Sequence, residues 1–139
     1  WALYSESVPA ELGLYTDPYQ DFGRLSMELF RANRLVIDTG IHAKKWTRAE
    51  AVDYMLENSA NSEGDIRAEI DRYIVWPGQA TAYLVGKLKI MELRQKAMEE
   101  LGEKFDYKGF HDEVLKDGPV PMSILEQKIN NWISVQQEA

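Results

Sequence analysis

The sequence contains no cysteine, which excludes disulfide bridges and thiolate metal sites. Its 16 Lys and Arg residues are outnumbered by 23 Asp and Glu, and the formal net charge is −7. This excess argues against nucleic acid or an anionic membrane surface as a partner, because both require a basic face. No apolar run approaches the roughly 20 residues of a membrane span. What remains, with 45% hydrophobic and 28% charged residues, is the composition of an ordinary globular domain.

The sequence also lacks any stretch of period-two alternation, the pattern of half-buried β-strands. Apolar residues instead recur with helical spacing between capping signals, which predicts an all-α fold of about seven helices in an irregular bundle. We expect a single helical domain over residues 1–139, forming the C-terminal portion of a longer protein, because Trp1 already lies in a helix-like pattern. The predicted helices cover residues 1–12 (kinked or ended at Pro9), 17–43, 48–58, 63–75, 77–101, 105–116 and 121 onward.

The long helix that opens at Asp17 and Pro18 has two faces. An apolar stripe, predicted to face the core, consists of Phe22, Leu25, Leu29, Ala32 and Val36. The opposite line is either a solvated face or the wall of a polar cleft, and it consists of Arg24, Glu28, Arg31, Asp38 and His42. Asp38 is also spaced to pair with Arg34 or His42. Gly40 within the helix indicates that a neighbouring group approaches closely.

A proline break interrupts the helical pattern between Asp71 and Ile90. We expect one helix to end near Val75 and the next to begin with Pro77 at its first position. Lys87 is predicted on the wet side of this second helix. The free N–H groups of residues 78–80 would then form a small anion site. The segment is either an ordinary helix corner or a cluster that holds a carboxylate or polarises a carbonyl, and its candidates are Arg72, Tyr73, Gln79 and Tyr83.

Recognisable catalytic motifs are missing. There is no H-E-x-x-H, no glycine-rich phosphate loop and no nucleophile elbow. The two histidines, His42 and His111, lie too far apart in sequence to form a helical metal-ligand pair. The residues by themselves therefore supply no complete catalytic constellation.

Several motifs nevertheless occur in a fixed order along the chain. They are W-A-L-Y-S-E (1–6), E-L-G-L-Y-x-D-P-Y (11–19), F-G-R-L (22–25), R-L-V-I-D-T-G-I-H (34–42), R-Y-I-V-W-P-G-Q-A-T-A-Y (72–83), F-H-D-E-V-L (110–115) and G-P-V-P-M-S-I-L-E (118–126). Through these motifs essentially the whole chain resembles the C-terminal part of a bacterial family catalogued as domain of unknown function 885.

The resemblance implies a helical zinc metallopeptidase of the gluzincin type. Its members carry an upstream H-E-x-x-P-G-H motif, and the W-A-L-Y-S-E element normally reads E-G-W-A-x-Y-x-E. The glutamate of that element is implied to be the third zinc ligand and would fall two residues before Trp1. All three ligands would lie outside this sequence, so we expect no metal and no activity in the 139-residue chain, and zinc in the full-length parent.

The resemblance also suggests site residues. In the similar thimet-oligopeptidase architecture, a downstream helix with G-Y-x-x-G-Y-x-x-Y supplies donors to the scissile carbonyl. Residues 78–86 read G-Q-A-T-A-Y-L-V-G, so Tyr83 matches the middle tyrosine, while Gln79 and Gly86 replace the first and last. By this resemblance the catalytic candidates are Tyr83, Tyr73 and His42, and the substrate-binding candidates are Arg72 and Gln79.

Each candidate also has an ordinary structural explanation. Tyr83 can be a core residue. Arg72 can pair with Glu69 or Asp65 on its own helix. His42 can cap a helix C-terminus.

The resemblance thus predicts the substrate-cleft-forming part of a zinc-dependent peptidase or hydrolase acting on a peptide-like substrate. The alternative is a non-catalytic helical binding or interaction module. The surface that packs against the missing N-terminal half should be apolar, so we expect the isolated fragment to self-associate. The resemblance is compatible with export to the periplasm.

Overall fold

A computed structural model of the chain describes residues 1–138. Within these residues the secondary structure is helical and contains no strand, which confirms the predicted all-α class. The helices are α1 Ala2–Ser5, α2 Val8–Glu11, α3 Pro18–Lys44, α4 Arg48–Asn58, α5 Glu63–Val75, α6 Ala82–Leu101, α7 Tyr107–Leu115 and α8 Met122–Glu138, with a 3₁₀ turn at Gly102–Lys104. None of these helices is long and apolar enough to cross a membrane.

The chain forms two compact units. The first unit comprises Trp1–Lys87, and the second unit begins at Leu88. Helix α6 runs through the boundary, so its first turns belong to the first unit and the rest to the second.

Three helices begin at the caps that the sequence predicted. Asp17 accepts a hydrogen bond from the Tyr19 N–H at 2.8 Å and precedes Pro18 at the first position of α3. Thr47 and Glu50 form a reciprocal capping box at the start of α4. Ser62 caps α5 through the Asp65 N–H. These side chains satisfy backbone donors that a helix leaves without an intrahelical partner.

The proline break differs from its prediction. Helix α5 ends at Val75 as expected, but α6 begins at Ala82, and residues 76–81 form successive turns. Gly78 has φ +81°, a left-handed conformation that a right-handed helix cannot contain. Pro77 therefore lies in a turn instead of starting a helix, and the predicted helix N-terminal anion site does not form there.

Helix α3 is oriented opposite to its prediction. Four members of the apolar stripe are exposed, and Phe22 is the most exposed of them at 63%. The buried side of α3 carries Asn33, Arg34, Ile37, Asp38 and Gly40. This side closes on α4 and α5 around a core of Ile37, Val52, Met55, Ile66, Ile70 and Tyr73. This buried side of α3 carries polar residues beside Ile37, whereas none of the residues of the predicted apolar stripe belongs to the core.

Gly40 has the close neighbour that the sequence predicted. The ring of Trp46 would lie only 2.5 Å from a Cβ at this position. Lys45 adopts a left-handed conformation at the end of α3, and the Trp46 N–H then donates to the Gly40 carbonyl at 3.0 Å. The chain thus folds back over the last turn of α3, which only a glycine at position 40 allows.

The second unit has an apolar core. Helix α8 contributes Leu125, Ile129 and Ile133, and α7 contributes Phe110 and Val114. The rings of Phe105, Phe110 and Trp132 pack with centroids 6.0–6.5 Å apart. On α8, Leu125, Ile129 and Ile133 are buried at helical spacing, whereas Ile124 is exposed.

Candidate functional site

The side chains of Arg34, Gln79 and Tyr83 form one hydrogen-bonded row in the first unit. Arg34 lies on the buried side of α3, is 3% exposed, and donates from Nη2 to the Gln79 Oε1 at 3.0 Å. Gln79 donates from Nε2 to the Tyr83 hydroxyl oxygen at 3.3 Å. The guanidinium carbon of Arg34 also lies 4.4 Å from the Tyr83 ring centroid and 5.2 Å from that of Tyr73. The row therefore joins a buried cation to a tyrosine hydroxyl at the surface.

A groove of about 320 Å³ opens beside this row. It is lined by Trp1, Ala2, Leu3, Gln79, Ala82 and Tyr83. Tyr83 is 36% exposed, so the ordinary explanation that it is a core residue does not apply. The structure thus places two sequence candidates, Gln79 and Tyr83, on the same groove as the first residues of the W-A-L-Y-S-E motif.

The turn at Gly78 binds a carboxylate from within the chain. The Gly78 N–H donates to both carboxylate oxygens of Asp38, at 3.0 and 3.2 Å. Asp38 is buried, and the hydrogen bonds from the Gly78 N–H replace the water that would otherwise solvate its carboxylate. Asp38 therefore serves the turn, and it does not form the predicted ion pairs with Arg34 or His42 within residues 1–138. The segment around Gly78 is a helix corner held by α3.

Arg72 and Tyr73 converge on Glu69. Arg72 Nη2 pairs with the Glu69 Oε2 at 2.5 Å, and the Tyr73 hydroxyl donates to the same oxygen at 2.9 Å. Tyr73 is fully buried, and this burial, followed by its hydrogen bond to Glu69, raises the pKa of its hydroxyl. Tyr73 consequently stays protonated, and its hydroxyl donates a hydrogen bond to Glu69. The pairing of Arg72 with Glu69 is the ordinary explanation that the spacing on its own helix suggested.

His42 reaches the end of α5. Its Nε2 lies 2.9 Å from the backbone carbonyl oxygen of Tyr73, in the last turn of that helix. A carbonyl oxygen only accepts, so this nitrogen carries the proton and donates it. His42 therefore caps a helix C-terminus, as its ordinary explanation predicted, although the capped helix is α5 and not its own.

A second charged group lies along α3. Lys87 is 4% exposed and pairs with the Glu28 Oε1 at 2.6 Å, which corrects its predicted place on the wet side of its helix. The other Glu28 oxygen accepts from Arg24 at 3.2 Å, and Arg24 pairs with Asp21 at 2.8 Å. The side-chain hydrogen bond from Arg24 to Asp21 is the main cause of the raised pKa of Arg24. These residues hold α6 against α3 in the first unit.

Three arginines in the first unit keep an unsatisfied donor. The Nε atoms of Arg31, Arg34 and Arg72 are buried and have no hydrogen-bond partner. Arg31 and Arg34 lie near the Tyr83 ring, and Arg34 and Arg72 near that of Tyr73. The rings offer cation–π contacts in place of hydrogen bonds. Each of the two tyrosine rings therefore has two arginine guanidiniums near it, in a chain whose net charge is negative.

The sequence candidates fall into three places. Gln79 and Tyr83 border the groove, Arg72 and Tyr73 meet at Glu69, and His42 lies at the end of α5. Sequence reasoning missed Arg34 as the link between the two tyrosines. Its position one turn from Asp38, on the polar face of α3, was the available signal. Within residues 1–138 no group of three or more histidine or acidic side chains could hold a metal ion.

Comparisons with known proteins identify relatives of the chain. The family described as "Bacterial protein of unknown function (DUF885)" matches residues 1–129. No curated protein matches. A crystal structure from Colwellia psychrerythraea, of a protein called a "putative lipoprotein", is 55% identical and superimposes with a TM-score of 0.94. The match covers 96% of this chain and 23% of that one, so the chain spans less than a quarter of the relative's length.

Proposed function

The chain belongs to the DUF885 family of bacterial proteins, and we propose that it forms one wall of the substrate cleft of a zinc-dependent peptidase-like hydrolase. The metal ligands of this hydrolase would lie upstream of the chain. The groove beside Tyr83 would receive the peptide-like substrate, and the Tyr83 hydroxyl would donate a hydrogen bond to the scissile carbonyl as negative charge develops on its oxygen.

One observation carries this proposal: Trp1 borders the same groove as Gln79 and Tyr83. Two residues of extended chain span at most about 7 Å. A glutamate ligand two residues before Trp1 would therefore lie close to the mouth of the groove. The zinc ion that polarises the substrate carbonyl and the tyrosine that donates to it would then face the same bond.

The other candidates have different support. Arg72 carries the guanidinium that a substrate carboxylate would recognise, but its Nε is buried and Glu69 occupies one of its other nitrogens. Tyr73 and His42 already donate to Glu69 and to a backbone carbonyl. Each would have to exchange that partner to contact substrate, so Tyr83 is the principal donor in this proposal.

The test uses the full-length protein that contains this chain. We expect it to bind zinc in a 1:1 ratio by metal analysis and to hydrolyse peptides in a zinc-dependent way. Tyr83→Phe should lower kcat by about 10²–10³-fold, the usual effect of removing one oxyanion donor. Tyr19→Phe is the matched control, because this exposed tyrosine lies in the same unit and away from the groove lining.

A metal-free full-length protein without hydrolytic activity would contradict the proposal. That outcome would favour the alternative, a non-catalytic binding module. The exposed apolar stripe of α3 supplies a docking face for such a module. The description of the Colwellia protein as a lipoprotein agrees with export, so we extend this location to the present protein as part of the proposal.

A further inference from the structure

We propose that Arg34 is a positioning residue that acts through Gln79 and directs the Tyr83 hydroxyl proton into the groove. The ligand class is a group with an acceptor oxygen of negative character, either a peptide carbonyl or a carboxylate. This inference rests on the proposed function, because it concerns the Tyr83 hydroxyl proton, which the hydrolase would donate in a hydrogen bond to its substrate.

The direction of each hydrogen bond follows from the chemistry of Arg34. A guanidinium has donors and no acceptor, so the Gln79 atom 3.0 Å from it is the carbonyl oxygen of the amide. The amide NH₂ of Gln79 must then face Tyr83, where it donates across 3.3 Å. The Tyr83 oxygen thus accepts, and its own proton remains for another partner. No acceptor within residues 1–138 takes that proton, and the ring borders the groove.

The environment of Arg34 supports a role beyond packing. The side chain is almost fully buried, it forms no ion pair with a carboxylate of the described chain, and its Nε has no partner. Burial of such a charge is unfavourable, and a hydrophobic side chain of similar volume is often as stable. In return, a buried cation at the head of a hydrogen-bond row polarises each following bond. The Tyr83 hydroxyl becomes a stronger donor to an oxygen that carries negative charge.

The sharpest test is Gln79→Glu. The new carboxylate has nearly the same shape and pairs with Arg34, but it has no N–H and can only accept from Tyr83. The hydrogen bond between residue 79 and Tyr83 is thereby reversed, while the hydrogen bond from Arg34 to residue 79 keeps its direction. Gln127→Glu is the control, since it adds the same charge at an exposed position of α8 in the second unit.

In the full-length protein, Gln79→Glu should lower kcat for peptide hydrolysis about 10²–10³-fold with little change in KM, as Tyr83→Phe does. The double variant should lose no more than either single variant, because both remove the same donor. Arg34→Met should also lower kcat, and Arg34→Lys should restore part of it, because lysine again donates to Gln79. Full activity of Gln79→Glu would overturn the inference and leave the proposed function standing.

A second readout needs no activity. In the 139-residue chain, labelled with ¹³C at the tyrosine Cζ, the Tyr83 resonance reports whether the hydroxyl donates or accepts. Gln79→Glu should shift this resonance, and Gln127→Glu should not. Titration with acetate and with N-methylacetamide then separates a carboxylate from a neutral carbonyl as the preferred acceptor. A Tyr83 resonance that Gln79→Glu leaves unchanged would refute the hydrogen-bonded row of Arg34, Gln79 and Tyr83. A shifted resonance, together with a full-length protein that has no hydrolytic activity, would refute only the proposed function.

Discussion

The two units of the molecule bury different kinds of residues. Among residues 1–138, all four buried polar or charged side chains lie in the first unit, and they are Asn33, Arg34, Asp38 and Lys87. The buried residues of the second unit are all hydrophobic, with Phe110, Leu125, Ile129 and Ile133 at its centre. The exposed apolar stripe of α3 also belongs to the first unit.

This difference shows how far each unit follows the ordinary rules of burial. The second unit follows the ordinary rule that apolar surface is buried and charge is solvated. The first unit departs from that rule twice, because α3 buries charge on one side and exposes apolar residues on the other. Such departures are expected at functional sites and at surfaces that bind another protein or domain. The groove beside Tyr83 and the apolar stripe are the two corresponding features.

A pair of identical substitutions tests the contrast most strongly. Phe110→Ala in the second unit should lower the free energy of unfolding by about 3–5 kcal/mol, because the ring is fully buried. Phe22→Ala on the apolar stripe should change it by no more than about 0.5 kcal/mol, because that ring is mostly exposed. Denaturant unfolding of the 139-residue chain measures both values. A large loss from Phe22→Ala would mean that α3 buries its apolar stripe after all.

The next effect concerns ion pairs. Glu28→Gln should destabilise the first unit by about 3 kcal/mol, because it leaves the buried Lys87 ammonium without a charged partner. Glu92→Gln removes the same charge from the pair with Lys89 in the second unit, where Glu92 is mostly exposed, and it should cost much less. Urea titrations of both variants provide the comparison. Equal losses would show that burial of Lys87 does not matter for stability.

The apolar stripe predicts self-association of the isolated chain. We expect the 139-residue chain to form larger species at high concentration in sedimentation velocity, and Leu25→Glu combined with Leu29→Glu to make it monomeric. Val135→Glu is the control, because Val135 is an exposed apolar residue of the second unit and is not part of the stripe. A wild-type chain that stays monomeric would count against the stripe as a docking face.

The smallest expected effects on stability come from ion pairs at the surface. These effects should be of similar size in both units. Hydrogen bonds from Arg48 and Lys128 lower the pKa of Asp71 and of Asp117, respectively. A lowered folded-state pKa stabilises the protein above the unfolded value, near 4, and this stability is lost as the pH falls through the folded-state pKa. Asp71→Asn and Asp117→Asn should therefore each flatten the acid limb of the stability profile slightly, and added salt should weaken the effect. A flattening confined to one unit would contradict this expectation.

The sequence predicted the helix caps and the buried apolar residues of α8, but it did not predict that α3 buries its polar residues. The buried residues of α8 follow from helical spacing, and the caps of α3, α4 and α5 follow from local chemistry. The close approach at Gly40 was also predictable, because a glycine inside a helix needs a reason. The orientation of α3 was not predictable, since periodicity identifies an apolar face and does not say whether the neighbouring helices cover it.

The candidate site shows the same division. The sequence, through its resemblance, pointed to Tyr83 and Gln79, and their spacing of four residues places them together on one face. Their link to Arg34 spans 45 positions, and no local pattern contains it.

The sequence by itself determined the helical class, most helix boundaries and the family, because capping, periodicity and motif order are local properties of the chain. The tertiary structure decided which face of α3 is buried, that Asp38 fills the turn at Gly78, and that Arg34 lies beneath Tyr83. The physical reason is that a buried charge is stable only where distant groups meet it, and those groups come together only when the chain folds.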